Sequence, residues 1–501
     1  MKKILTILLL SFLFVGCIEQ EIEEKENLKE YHLEDVNFLL ITNPTRRDKD
    51  ESTTWVKIQD DSRAIVNTEA NLSEVENFPL YVEHTLPAKI IDPTLLKKKN
   101  ARSVNDEVEF VSFKEGDLHT FYDYNNSEIN AELQYEGEYC YVWQDLDEET
   151  SKLTLEELKM FADNFDSIYI KQTALCGPKY DGNGMFSNII KPNEKISILM
   201  TDIFNGDANN DEIEDEKGSI VGFFNPNNYI FPVGEMQPFK TSKIEVIVID
   251  SVYAKDENSK DAVSLTSVHE FNHLLNFVNK YLKKEKNYET WYTEMLAMVA
   301  EDFFMEELDV GFEGSPHERL IWFVNAWYNI GFRNWPSDVN KVPGEIVSSI
   351  YSNTYAFGAF LVRNYGGAKL FHEICTNNDV NEESVIQAIK TVTGKNKSFS
   401  DLLMEFGSVV LNTSSYDYSS YPSLYREYSG TVDNYEFKLE KIDLENLTGE
   451  PNEIGFYLPT EIENAYLGSY GFQIVYFEDP TDIVLKIKSV LEFDYLSLKD
   501  L

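Results

Sequence analysis

Apolar positions along this chain fall into runs, alternations and helical stripes, and their order predicts its elements. An unbroken apolar run, Ile4 to Val15, follows Lys2 and Lys3. Short alternating stretches come next: Val36 to Thr42 and Thr53 to Ile58 read as strands, and Asp92-Pro93 as a break. Glu138 to Trp143, Lys195 to Thr201 and Ile244 to Asp250 read as further strands, the last apolar enough to be buried. Leu155, Leu158, Phe161 and Phe165 mark a helix over Leu153 to Ile170. Leu265, Val268, Asn272 and Leu275 recur at three- and four-residue steps and predict a helix from Leu265 to Val278, capped by Ser264 or Asp261. The stripe Leu296, Val299, Ala300 and Phe303 predicts another over Tyr292 to Glu307. Helical patterns follow at His317 to Tyr328, Tyr355 to Asn364, Ser384 to Val392 and Phe399 to Leu411. Strands return at Tyr435 to Leu439, Ile454 to Leu458 and Phe472 to Phe477, and no repeat of solenoid length occurs. The expected class is α+β. A central domain over residues 126–415, a mixed sheet and then a mostly helical half, lies between small β-rich domains at 31–125 and 416–501.

The ends and the charge narrow the setting. The Ile4–Val15 run is too short to span a bilayer and follows two lysines, so residues 1–16 read as an export signal. It closes on Phe14-Val15-Gly16-Cys17, which resembles a bacterial lipobox with Phe where Leu is usual. That resemblance implies cleavage before Cys17 and lipid on its sulfur; a plain secretory signal is the alternative. Residues 17–30 are acidic and suit a flexible tether. The expected location is outside the cytoplasm, lipid-anchored to a bacterial cell membrane, with the choice of outer membrane or cell surface open. A net charge of -43 over 501 residues excludes nucleic acid as a partner. It suits solubility, and it would favour basic peptides or divalent cations. With 43% apolar residues, 29 Tyr and 32 Phe, the chain can bury substantial cores despite that charge. The basic cluster Lys97, Lys98, Lys99 and Arg102 is a solvated loop, a linker or a processing site that would make residues 31–95 a pro-segment. Among the cysteines, Cys140 and Cys176 could pair and leave Cys375 free, and none has metal-binding spacing.

The chemistry concentrates at His269-Glu270-Phe271-Asn272-His273. Residues four apart on a helix share a face, so both imidazoles can aim at one metal ion, with the intervening glutamate close enough to act on a water there. Glu294 follows on the next predicted helix and supplies a third ligand. Two neutral imidazoles and one carboxylate leave a zinc ion one open position. The expected roles are His269, His273 and Glu294 as ligands and Glu270 as general base. A developing oxyanion needs a donor: Tyr355 is the first candidate, with His317 and Tyr351 behind it. Glu301 and Asp302 are candidate acceptors for the far nitrogens of the ligand histidines, Glu301 lying seven residues beyond Glu294 on the same face. Separately, Asp207-Ala208-Asn209-Asn210-Asp211 resembles the start of a calcium loop. Glu212 stands where an EF-hand needs Gly, and Gly218 where it needs Glu. A looser Ca2+ site and a solvated acidic loop are the two readings.

An HExxH helix followed by a Glu-bearing helix resembles the gluzincin metallopeptidases. Val268 to His273, Thr290-Trp291-Tyr292-Thr293-Glu294-Met295-Leu296-Ala297 and Ala300-Glu301-Asp302 resemble the hyicolysin-type neutral metalloprotease family within them. Thr201-Asp202-Ile203, Val221-Gly222-Phe223-Phe224 and the stretch from Tyr355 to Gly366 are similar to other segments of that family. The resemblance covers residues 135–410 and departs at two places. Asn272 stands for the expected Gln, and Thr293-Glu294-Met295 for Asn-Glu-Gly. It implies a zincin-like catalytic domain holding one Zn2+ and an endopeptidase acting on protein or peptide substrates. A catalytically silent, adhesin-like surface lipoprotein that keeps the metal for structure is the alternative. The intact Glu270 argues against it, because a structural zinc needs no base.

Overall fold

Strands β1 (Leu28–Thr42) and β2 (Trp55–Gln59) precede β3 (Leu118–Tyr122), β4 (Glu128–Glu136) and β5 (Cys140–Asp145). Helix α1 (Leu155–Cys176) leads to β6 (Ile196–Thr201), β7 (Gly222–Phe224) and β8 (Val246–Asp250). A short α2 (Ser251–Lys255) precedes α3 (Lys260–Asn276), which continues as a π-helical stretch, Phe277–Leu282. The helical half follows: α4 (Thr290–Phe304), α5 (Pro316–Val324), α6 (Gly344–Tyr365), α7 (Gly367–Thr376), α8 (Asn381–Thr393) and α9 (Phe399–Gly407). Strands β9 (Tyr428–Val432), β10 (Tyr435–Leu439), β11 (Ala465–Tyr466), β12 (Phe472–Lys488) and β13 (Glu492–Leu496) close the order. This computed structural model describes residues 28–44, 55–59, 96, 98, 109–123, 126–147, 151–203, 220–231, 240–256, 259–324, 331–333, 335, 344–411, 422–447, 465–466, 470–488 and 492–496. The export signal, Cys17, the tether up to residue 27, the Asp207–Asp215 loop, the Asp92-Pro93 break and the Ile454–Leu458 strand lie outside the described residues, as does the basic cluster apart from Lys98; the last three tether residues, 28–30, belong to β1 instead.

The chain is mixed α/β. Its six-stranded sheet has the order β3-β4-β5-β6-β8-β7, with β5, β6 and β8 parallel and β7 an antiparallel edge strand on β8. Every residue of β6 and β8 is buried, which explains their continuous apolar sequence: covered on both faces, they have no polar side to show. Thr154 starts α1 through a reciprocal capping box with Glu157. Leu158, Phe161 and Phe165 face the core as expected, whereas Leu155, in the first turn, stays 61% exposed. Phe165 meets Phe271 of α3 at 5.2 Å between ring centroids, so the helix carrying the motif is wedged between α1 and the sheet. Burying a ring such as that of Phe271 contributes about 1.5–3 kcal/mol.

Three expectations shift. Helix α3 starts at Lys260, ahead of Leu265, with Ser259 at its N-cap. Ser264 lies inside it and accepts a bond from Asn164 of α1, so it is no cap. Helix α6 starts well before Tyr355, because its first half is built on Ser348, Ser349, Ser352, Asn353 and Thr354, polar residues that are nonetheless buried. Cys140 and Cys176 do not pair: both are free and buried, as is Cys375. Cys140 faces Ala162 O early in α1, and Cys176 ends that helix. About 20 Å of helix separates the two ends, far beyond disulfide reach.

A second sheet has the order β11-β2-β12-β1-β13, so both ends of the chain contribute strands to one sheet, and Leu28 pairs opposite Lys488. The expected boundary at residue 125 falls between β3 and β4, which hydrogen-bond to each other in the six-stranded sheet. The terminal sheet rests on the helical half, with Phe472 stacked edge-on against Phe406 of α9 at 5.4 Å. Among the described residues no helix is long and apolar enough to cross a membrane.

Candidate metal centre

His269 and His273 stand one turn apart on α3, with ring centroids 4.7 Å apart. Glu294, early in α4, comes between them: Oε2 is 3.3 Å from His269 Nε2, and Oε1 is 3.6 Å from His273 Nε2. All three side chains are buried, and their donor atoms lie within 4.8 Å of one another. Donors on a tetrahedral ion at about 2.0–2.1 Å stand about 3.3 Å apart, so the spacing suits a shared cation. His273 Nε2 and Glu294 Oε2 are buried without a hydrogen-bond partner among the described residues, an expensive state that a bound cation would relieve. Burial works against charge on Glu294, yet His273 and His269 hold its carboxyl down to about 2, so it is ionised. The residues present fit a divalent metal.

The far side of each imidazole is also held. His269 Nδ1 lies 2.5 Å from Glu301 Oε1, and Glu301 Oε2 takes a bond from Arg319 of α5 at 2.8 Å. An ionised carboxylate only accepts, so Nδ1 carries the proton and Nε2 keeps its lone pair for the metal. His273 Nδ1 lies 2.8 Å from Thr293 Oγ1. Both departures from the family pattern therefore have contacts. Thr293 steadies His273, and Asn272 reaches out to Cys176 Sγ at 3.2 Å, tying α3 to the end of α1.

Glu270 is fully buried, one residue along α3 from the first ligand. Tyr355 and His317, expected near an oxyanion, both meet Asp302 instead: the Tyr355 hydroxyl donates to Oδ2 at 2.9 Å and His317 Nε2 lies 3.1 Å from Oδ1. Arg363 of α6 donates to both oxygens, at 2.7 and 3.2 Å. Burial disfavours charge on Asp302, but Arg363 and His317 hold it well below the usual carboxylate range. Burial and then the Asp302 charge push the Tyr355 phenol well above its usual value, so it stays protonated and donates. Among the described residues Asp302 thus bonds to neither His269 nor His273; it locks α5 and α6 onto α4 directly behind Glu301. Tyr351 packs edge-on against Trp335 at 4.6 Å.

Residues 136–456 match the family model described as Peptidase M30. The chain belongs to the peptidase M30 family. It is similar to the neutral metalloprotease ShpI of Staphylococcus hyicus, with 24% identity over 318 residues, which is 62% of this chain and 64% of that protein. The chain therefore spans less than two thirds of that relative's length. The three residues that could hold a metal, His269, His273 and Glu294, and the candidate base Glu270 lie inside the matched region. Sequence reasoning did not find Arg319, Thr293 as a ligand support, or Arg363. Only Thr293 had a local signal: a short hydroxyl one residue before the candidate ligand Glu294.

Proposed function

We propose that this M30 chain is a zinc-dependent endopeptidase that hydrolyses peptide bonds of proteins outside the cytoplasm. The convergence of His269, His273 and Glu294, with Glu270 beside them on α3, carries this reading. Two imidazoles and one carboxylate from the protein match a catalytic zinc with one position open. Zinc held there lowers the pKa of a water molecule and polarises the substrate carbonyl. Glu270 takes the proton from the attacking water and passes it to the leaving amine. Glu301 and Thr293 hold both imidazoles in the orientation that would face the ion. Tyr355 spends its proton on Asp302, so we assign it to the scaffold behind the ligands rather than to the oxyanion. The zincin-like arrangement of the catalytic domain, between β-rich flanking regions, belongs to the same proposal.

The run ending in Phe14-Val15-Gly16-Cys17 supports export with a lipid on Cys17, which would hold the enzyme at a bacterial membrane. The deciding experiment compares wild type with Glu270→Gln. The variant is expected to keep one zinc per chain by metal analysis while casein cleavage falls by about three orders of magnitude or more. A wild-type protein that binds zinc and cleaves no protein substrate would refute the endopeptidase reading and favour the binding lipoprotein.

A further inference from the structure

The edge strand β7 lies against α3, and at Gly222 it faces Thr266 and Glu270 of the helix. A Cβ built on Gly222 would stand 2.7 Å from Thr266 Cγ2, 3.0 Å from Val248 O and 3.2 Å from Glu270 Cγ. Thr266 and Glu270 are four residues apart on α3 and so share the face turned to the strand. None of the three neighbours yields easily. Val248 O belongs to the backbone of β8, a buried strand of the sheet. Thr266 is β-branched and stiff at χ1, with its hydroxyl turned back to Ala262 O at 3.4 Å. Glu270 is fully buried. Nor can the strand drift away, because Gly222 pairs with Ile249 and the adjacent Val221 O accepts from Asp250 N at 2.8 Å. Any side chain at 222 must therefore displace the stem of Glu270, the methyl of Thr266, or both.

We infer that Gly222 is a positioning residue for Glu270: its missing side chain sets where the carboxylate stem lies beside the His269–His273 pair. The inference rests on Glu270 acting as the general base. It acts through Glu270 and touches no substrate. Misplacing a reacting group by about 1 Å can cost a hundredfold in rate, so a methyl at this contact is expected to be felt in kcat.

The test uses the full catalytic chain with Gly222→Ala, Thr266→Ser and the double variant. Gly222→Ala is expected to lower kcat on a casein-derived peptide about ten- to hundredfold, with KM and bound zinc within about twofold of wild type. Thr266→Ser removes the closest obstacle but leaves Glu270 in contact. The double variant should therefore regain its Tm while kcat stays low. If kcat recovers together with Tm, Gly222 merely makes room for Thr266 and the inference is overturned; unchanged kcat in Gly222→Ala overturns it too. Crystal structures of wild type and Gly222→Ala give a readout independent of turnover. The Glu270 carboxylate should move while His269 and His273 stay, and an unmoved carboxylate overturns the inference even if wild type proves inactive on proteins.

Discussion

Glu301→Gln separates two jobs that one carboxylate performs. In the native protein, Oε1 accepts from His269 Nδ1 at 2.5 Å and Oε2 from Arg319 at 2.8 Å, with the Glu301 side chain fully buried. A glutamine can still turn its carbonyl oxygen to His269, but its amide NH2 then faces the Arg319 guanidinium, donor against donor. Loss of the negative charge makes the imidazole a weaker ligand, and changes at such supporting groups typically cost about 10–100-fold in metal affinity. That corresponds to about 1.4–2.7 kcal/mol of binding free energy. Breaking a buried ion pair costs about 3–5 kcal/mol of stability. The Arg319 side chain is 12% exposed and can recruit water, which favours the lower end of that range. The assay is a competition titration against a chromophoric zinc chelator, with thermal melts of the metal-free and zinc-loaded forms. The zinc-induced rise in Tm should shrink in Glu301→Gln beyond any shift of the metal-free protein. A zinc Kd within about twofold of wild type would refute the claim that Glu301 tunes His269, whatever happens to Tm.

Asp302→Asn leaves Arg363 buried without its counter-charge and should cost about 3–5 kcal/mol by denaturant titration. Asp302 is also expected to set an acid limit. Its folded pKa is depressed, so its contribution is fully present above the ordinary carboxylate pKa and is lost as pH falls through that value toward the folded one. Below pH ~4, metal-free wild type should therefore lose stability more steeply than Asp302→Asn. Tyr355→Phe removes one bond to Asp302 and should cost about 1–2 kcal/mol while kcat stays within about threefold; a thousandfold loss of kcat with unchanged KM would restore Tyr355 as the oxyanion donor.

The helix pair that carries the candidate metal donors was legible because spacing within a helix is local: His269 and His273 are fixed by one turn, and Glu294 and Glu301 by two. Partner choice was not. Asp302 follows Glu301 directly and looks equivalent in sequence, yet it points at α5 and α6, where Arg363, His317 and Tyr355 claim it. Nothing near Arg319 in the chain marks it as the support of Glu301. The first half of α6 was hidden for a related reason. Ser348, Ser349, Ser352 and Thr354 have weak helix propensity, and tertiary burial overrides it. The terminal sheet was illegible in pairing although β2 and parts of β1 and β12 were visible, since no local pattern says that β1 takes β12 as its neighbour, and β11 and β13 were missed.

That pairing orders events in time. β12 is synthesised more than 400 residues after β1, so Leu28 must wait for Lys488 before the strands can join. Until then β1 is an unpaired edge that can capture other strands. Closing so long a loop costs only modestly more entropy than closing a short one, so the wait is governed by delivery of the chain rather than by stability. A ribosome stalled before Phe472 would release a chain whose motif helices are complete and whose first strand has nothing to hold.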